Sequence, residues 1–131
     1  MGSFADYWED EILDHLFGKG AYTPPTIYVG LSTVDPADDA SGLAEPSGNG
    51  YARVTTAAGD WNASSSGALA NANNITFPEA SGSWGTITHF ALFDAASAGN
   101  MLAHGALGTP KAIGSGDTAE FAVGDIDVTL D

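Results

Sequence analysis

The chain changes its hydrophobic period once, at Gly20, and that change limits what it can fold into. Before it, Phe4, Trp8, Ile12 and Leu16 recur every four residues, with Tyr7, Leu13 and Phe17 widening the stripe. Asp6, Glu9, Asp10 and Asp14 take the other side. Such spacing places apolar side chains along one flank of an α-helix, so a helix is predicted over residues 4–17. Ser3 is the expected N-cap, with Asp6 as a short capping-box partner. Gly18-Lys19-Gly20 is the expected stop, because glycine takes the left-handed C′ position without steric cost and lysine suits the negative end of the helix dipole.

After Gly20 the pattern is that of short strands. Pro24-Pro25 break any helix, and residues 26–31 are β-branched and aromatic enough for a strand. Further strands are predicted over 51–56, 68–71, 74–77, 84–94, 101–107, 118–123 and 126–130, separated by clusters of Gly, Ser, Asn and Pro. Residues 95–100 read as a hairpin loop. The run 84–94 is apolar on both faces, so it should lie centrally in a sheet or be covered by the helix on its second face. Ile87, Phe90 or Leu92, Phe121 and Val128 are expected in one core with Tyr28 or Val29. Residues 33–50 form a loop long enough to suggest function or mobility. The expected fold is mainly β: an antiparallel β-sandwich or jelly-roll-like domain over residues 21–131, preceded by one N-terminal helix and hinge over residues 1–20.

Charge narrows the function classes. Seventeen Asp and Glu stand against three basic residues, Lys19, Arg53 and Lys111, for a net charge of −14. Nucleic-acid binding rests on neutralising phosphates, and anionic membranes attract basic clusters, so neither is an expected partner. There is no cysteine, hence no disulfide, thiolate metal site or cysteine nucleophile. The first residues carry no basic, apolar signal pattern, and no apolar run approaches a bilayer span; a soluble product of the cytoplasm is expected.

Candidate chemistry is sparse. His15 sits in the last predicted helical turn, where a structural role suffices. His89 and His104 flank the 95–100 turn and are predicted to face each other across a ladder, which with Asp94 suggests a two-histidine, one-carboxylate metal site. Yet Asp94 lies at an odd offset from His89 and should point to the opposite face. Asp35, Asp38 and Asp39 are dense enough in oxygen to suggest calcium, but they lack EF-hand spacing and read better as an acidic turn. Arg53, the only arginine, should make a structural ion pair, bidentate in geometry. No catalytic constellation and no cofactor motif is found, so the chain is expected not to be an enzyme.

Four segments carry a resemblance: Leu13-Asp14-His15-Leu16-Phe17, Ile27-Tyr28-Val29-Gly30-Leu31-Ser32, Gly50-Tyr51-Ala52-Arg53-Val54, and the run from Trp84 through His89 to Asp94. Together they resemble small virion structural proteins of tailed phages, commonly labelled tail-fibre or minor structural proteins. The resemblance implies a non-enzymatic role on the particle surface, in a tail fibre or as head decoration, with other virion proteins as partners. Symmetric assembly then suggests a homo-oligomer, a trimer or other closed ring. A carbohydrate- or receptor-binding β-sandwich is the alternative. Phe4, Trp8, Ile12 and Leu16 are the candidate docking residues, on a helix that a glycine hinge could release toward a neighbour.

Overall fold

A computed structural model describes residues 2–130. Its elements are β1 (Gly2–Phe4), α1 (Asp6–Leu16), β2 (Tyr28–Ser32), β3 (Val54–Thr55), a 3-10 turn (Ala58–Asp60), β4 (Ala68–Ala70), β5 (Ile75–Thr76), β6 (Gly85–Phe93), β7 (Met101–Ile113), β8 (Glu120–Phe121) and β9 (Asp127–Thr129). Seven strands form one curled sheet in the order β3-β2-β6-β7-β1-β9-β4, and β5 and β8 form a separate ribbon. All neighbours are antiparallel except β1 and β9. The domain is mainly β and sandwich-like, with a large curled layer closed by a small one and a single helix near its N-terminus.

The core lies between the layers. Val29, Leu31, Ile87, Phe90, Leu92, Phe121 and Val128 share it, so both Phe90 and Leu92 are inside, and of the two candidates on β2 it is Val29 that joins them. Tyr51, Phe77, Trp84, Phe121 and Phe90 run through it as a chain of aromatic contacts, mostly edge-to-face, with ring centroids 5.2–6.4 Å apart. Strand β6 is central, between β2 and β7. Its second face, Ala91 and Phe93, is covered by Ala5, Met101, Tyr28, Ala40 and Leu43. Its doubly apolar sequence is thereby explained: the cover comes from the neighbouring strands, the 33–50 loop and the N-cap residue Ala5, not from the body of the helix.

Several boundaries differ from the sequence expectations. The helix begins at Asp6, not residue 4, and its N-cap is Ala5, with no side-chain capping bond. Ser3 is not a cap: it lies in β1, opposite His104 on one side and Thr129 on the other. The reason is non-local pairing. The start of the chain fills the slot between β7 and β9, and a Cβ on Gly2 would meet the Phe90 ring at 2.7 Å and the His104 carbonyl at 2.9 Å. The helix stop follows expectation. Gly18 has φ +72°, its N–H donates to His15 O, and the Lys19 N–H donates to Asp14 O, satisfying the last carbonyls. The 51–56 strand shortens to β3, whereas β7 runs six residues beyond the predicted 107, with a bulge that sets Ile87 opposite Lys111 but His89 opposite Ala106.

Candidate docking site

The strongest polar constellation is built around Arg53. Its Nε donates to Glu45 Oε2 at 3.0 Å and its Nη2 to Glu45 Oε1 at 2.5 Å, the expected bidentate pair. Its Nη1 donates to the carbonyls of Ala95 and Ala98, both at 2.8 Å, and its Cζ lies 3.5 Å from the Phe93 ring centroid. Tyr51 completes the group, donating to Glu45 Oε2 at 2.6 Å and accepting from the Leu31 N–H at 3.0 Å. Burial, reinforced by the bond to Glu45, pushes the Tyr51 phenol far above its ordinary pKa. Gly30 makes the space: a Cβ there would meet Phe93, Glu45 and Tyr51 at 2.8–3.0 Å. The Arg53 side chain is only 5% exposed. Every donor in this group points at a fixed internal acceptor, so its chemistry is architectural: it pins the 33–50 loop and the 95–100 turn to β2 and β3.

The histidines separate. His15 Nδ1 accepts from the Tyr22 N–H at 3.2 Å and so helps to fold the chain back after α1. His89 and His104 do not face each other. The β6–β7 hairpin, turning about residues 97 and 98, places His104 opposite Ala91 and His89 opposite Ala106. Asp94 is also elsewhere, closing the hairpin turn by accepting from the Asn100 backbone and side chain. His104 instead meets the acidic loop: its Nε2 is 2.8 Å from Asp38 Oδ1 and its Nδ1 is 3.7 Å from Asp35 Oδ1. Asp35 and Asp39 accept from the backbone N–H groups of Ala37 and Ser41. The Ala37 bond is the largest cause, and the nearby His89 and His104 a smaller one, holding the Asp35 carboxyl below the ordinary range. Bonds from Ser41 do the same for Asp39. Among the described residues no group of three or more acids and histidines is arranged to hold a metal ion.

The helix is where the surface is left open. The rings of Phe4 and Trp8 meet at a tilt with centroids 4.8 Å apart and pack against the core, and Trp8 Nε1 donates to Tyr22 Oη at 2.9 Å. Ile12 is half-buried. Leu13, Leu16 and Phe17 are 54%, 71% and 75% exposed. The four candidate docking residues therefore divide: Phe4 and Trp8 fix α1 to its own sheet, Leu16 faces water, and Ile12 lies between. Leu13 and Phe17, counted in the sequence only as widening the stripe, are the other exposed members. Beside Trp8 opens a cleft of about 450 Å³ whose walls include Phe4, Trp61, Leu69, Val128 and Leu130. Among the described residues no charged one lines it. Leu69 and Leu130 carried no sequence signal beyond alternation in short strands. A second cleft, about 710 Å³, lies between residues 107–113 and 118–127 and is mixed in character, with Lys111, Glu120 and Asp125 among its walls.

A family model described as podophage GP4 fiber I protein gp80 matches residues 3–129. The chain belongs to this family. The match takes in β1, α1 and every later strand, so the helix is as much part of the fibre-protein unit as the sheet. The four segments that resembled phage structural proteins all fall within it, and the Arg53 group draws residues from two of them while Gly30 in a third gives it room. No curated protein sequence matches the chain. Among the described residues no helix is long and apolar enough to cross a membrane.

Proposed function

We propose that this fibre-family chain is a non-enzymatic building part of the virion, displayed on the particle surface in several copies and joined to neighbouring virion proteins through α1. The observation that carries the reading is the unpartnered apolar end of the helix. Exposed large side chains at Leu13, Leu16 and Phe17 on a helix whose first turns are fixed by Phe4 and Trp8 form a rigid ledge. Clustered exposed apolar groups on an otherwise highly acidic surface are suited to a protein contact. The fibre family favours a fibre position over head decoration. Synthesis in the host cytoplasm before assembly fits a product incorporated into particles there.

A sugar-binding role has less support. Trp8 and Trp61 border the cleft, but their indole N–H groups already donate to Tyr22 and Thr56, and among the described residues Asn62 and Ser64 are its only other polar side chains. Sugar recognition needs several directed hydrogen bonds beside its aromatic platform.

The test is incorporation. Particles produced with a Leu13→Ser/Leu16→Ser chain should lack it, while the purified variant keeps its circular dichroism and melting profile. Normal incorporation of that variant would refute docking through α1, and finding the wild-type chain outside purified particles would refute the virion role.

A further inference from the structure

We propose that Asn49-Gly50 is a latent deamidation site, kept unreacted because residues 81–84 clamp both of the groups that would have to meet.

The dipeptide is there for a structural reason. In the tight turn 48–51 the Tyr51 N–H donates to Gly48 O at 3.0 Å, and φ is positive at both central positions, +53° at Asn49 and +80° at Gly50. Asn-Gly is the pair that adopts such a turn at least cost. Any larger residue at position 50 would be strained by that φ and would bring a Cβ to 3.0 Å from Glu79 O.

The same pair is the least durable in the chain. In deamidation the backbone nitrogen of the following residue gives up its proton and attacks the asparagine Cγ. A C–N bond forms, the Cγ–Nδ2 bond breaks, and Nδ2 leaves as ammonia with that proton. Water then opens the cyclic imide to aspartate or isoaspartate. A side chain on the following residue hinders the attack, and glycine has none. Asn49 is the only asparagine that precedes a glycine.

Exposure leaves the pair open to water and base, for both residues lie at the surface. What restrains it is a polar clamp from a distant turn. Asn49 Nδ2 donates to Ser83 O at 3.0 Å. The Asn49 amide lies so close over Gly82 that a Cβ there would stand 2.7 Å from its Cγ and Oδ1. Asn49 O accepts from the Ser81 N–H and the Trp84 indole, both at 2.9 Å. Those two bonds fix the plane of the peptide whose nitrogen would attack. Electrophile and nucleophile are each held from 81–84, so the imide closes only when that segment lets go. Reaction then keeps it open. A carboxylate replaces the donor that faced the Ser83 carbonyl, and isoaspartate lengthens the main chain just before Tyr51, an anchor of the Arg53 group.

The experiment incubates the full chain in mildly alkaline buffer and follows each asparagine by peptide mass spectrometry. Wild type is compared folded and in guanidinium chloride, and with Gly82→Ala, whose added Cβ displaces the Asn49 amide; circular dichroism reports whether the variant is folded. Folded wild type should react slowly at Asn49. Denaturant and Gly82→Ala should each accelerate that site at least about tenfold, with the other asparagines of the folded variant unchanged. Should Gly82→Ala not fold, Trp84→Phe decides the matter in the same direction, since it keeps a core ring and removes the donor to Asn49 O. Reacted wild type, separated by its extra negative charge, should melt below the unreacted chain. Reaction of folded wild type as fast as in denaturant overturns the proposal, as does a denatured chain in which Asn49 does not react. A folded variant no faster than wild type, or a melting midpoint unmoved by the modification, removes the clamp and overturns it equally.

Discussion

The loop at Glu45 and the end of α1 are both places where regular structure stops, and they are finished in opposite ways. Around Glu45 every polar group is matched: one arginine satisfies both carboxylate oxygens, two carbonyls and an aromatic face. At the helix end the backbone is satisfied by the Gly18 turn, yet three large apolar side chains meet water. One region is closed on itself by polar bonds and the other is open through apolar surface. The chain's single arginine thus holds its own loops together.

The largest expected effect tests the closed region. Arg53→Ala should lower unfolding free energy by about 3–5 kcal/mol, because it strands Glu45 and frees two hairpin carbonyls. Urea melts of the two proteins would measure this. Arg53→Lys should recover only part of the loss, since an ammonium cannot reproduce the fork. A loss no greater than that of a surface substitution would remove the distinction between the two regions.

Asn71 offers a second closed site for comparison. It is fully buried, donates to the carbonyls of Asn73 and Ala122, and accepts from the Ile126 N–H. Asn71→Ala should cost about 2–3 kcal/mol, as three backbone groups lose their partner. The same melts decide it.

Within α1 the comparison can be made on one element. Trp8→Ser removes a side chain packed on the core and should destabilise the monomer by about 2–4 kcal/mol. Leu16→Ser removes an exposed one and should change stability by less than about 0.5 kcal/mol. Equal losses would mean that the helix is uniformly part of its own core.

These contrasts were only partly legible in the sequence. The Gly18 stop, the central β6 and the ion pairing of Arg53 each follow from a local signal: a glycine after an amphipathic run, a doubly apolar strand, one arginine among many acids. The partner of that arginine was not legible, because Glu45 lies in a loop with no period. Strand β1 was missed because Phe4 fits the four-residue stripe, while what holds it is pairing with residues about a hundred positions away. The His89–His104 pairing failed on spacing: the 95–100 turn is centred between residues 97 and 98, which sets His89 opposite Ala106 and His104 opposite Ala91. The cleft needed five distant segments to be seen at all.

The smallest effect separates the two regions by pH. Asp35 and Asp39 sit in the loop beside the Arg53 group, and both carboxyls are held below their ordinary value by hydrogen bonds that only the folded chain makes. Asp60 is held down likewise by the Ala57 N–H and Asn73. For a carboxylate whose folded pKa is depressed, stabilisation is complete above the unfolded value, near 3.8, and is lost as pH falls below it toward the folded value. Falling pH also removes the self-repulsion of a −14 chain, which acts in the other direction and is spread over the whole surface. The balance should give little net loss of stability down to about pH 4 and a decline below it. Loop loosening should begin that decline, with the Ala37 and Ser41 amide resonances moving first. Asp35→Asn and Asp39→Asn should flatten it without altering the signals of Leu16 and Phe17, which no titrating bond secures. If the helix-end signals instead move together with those of Ala37 and Ser41, the two regions are coupled and the separation drawn between them fails.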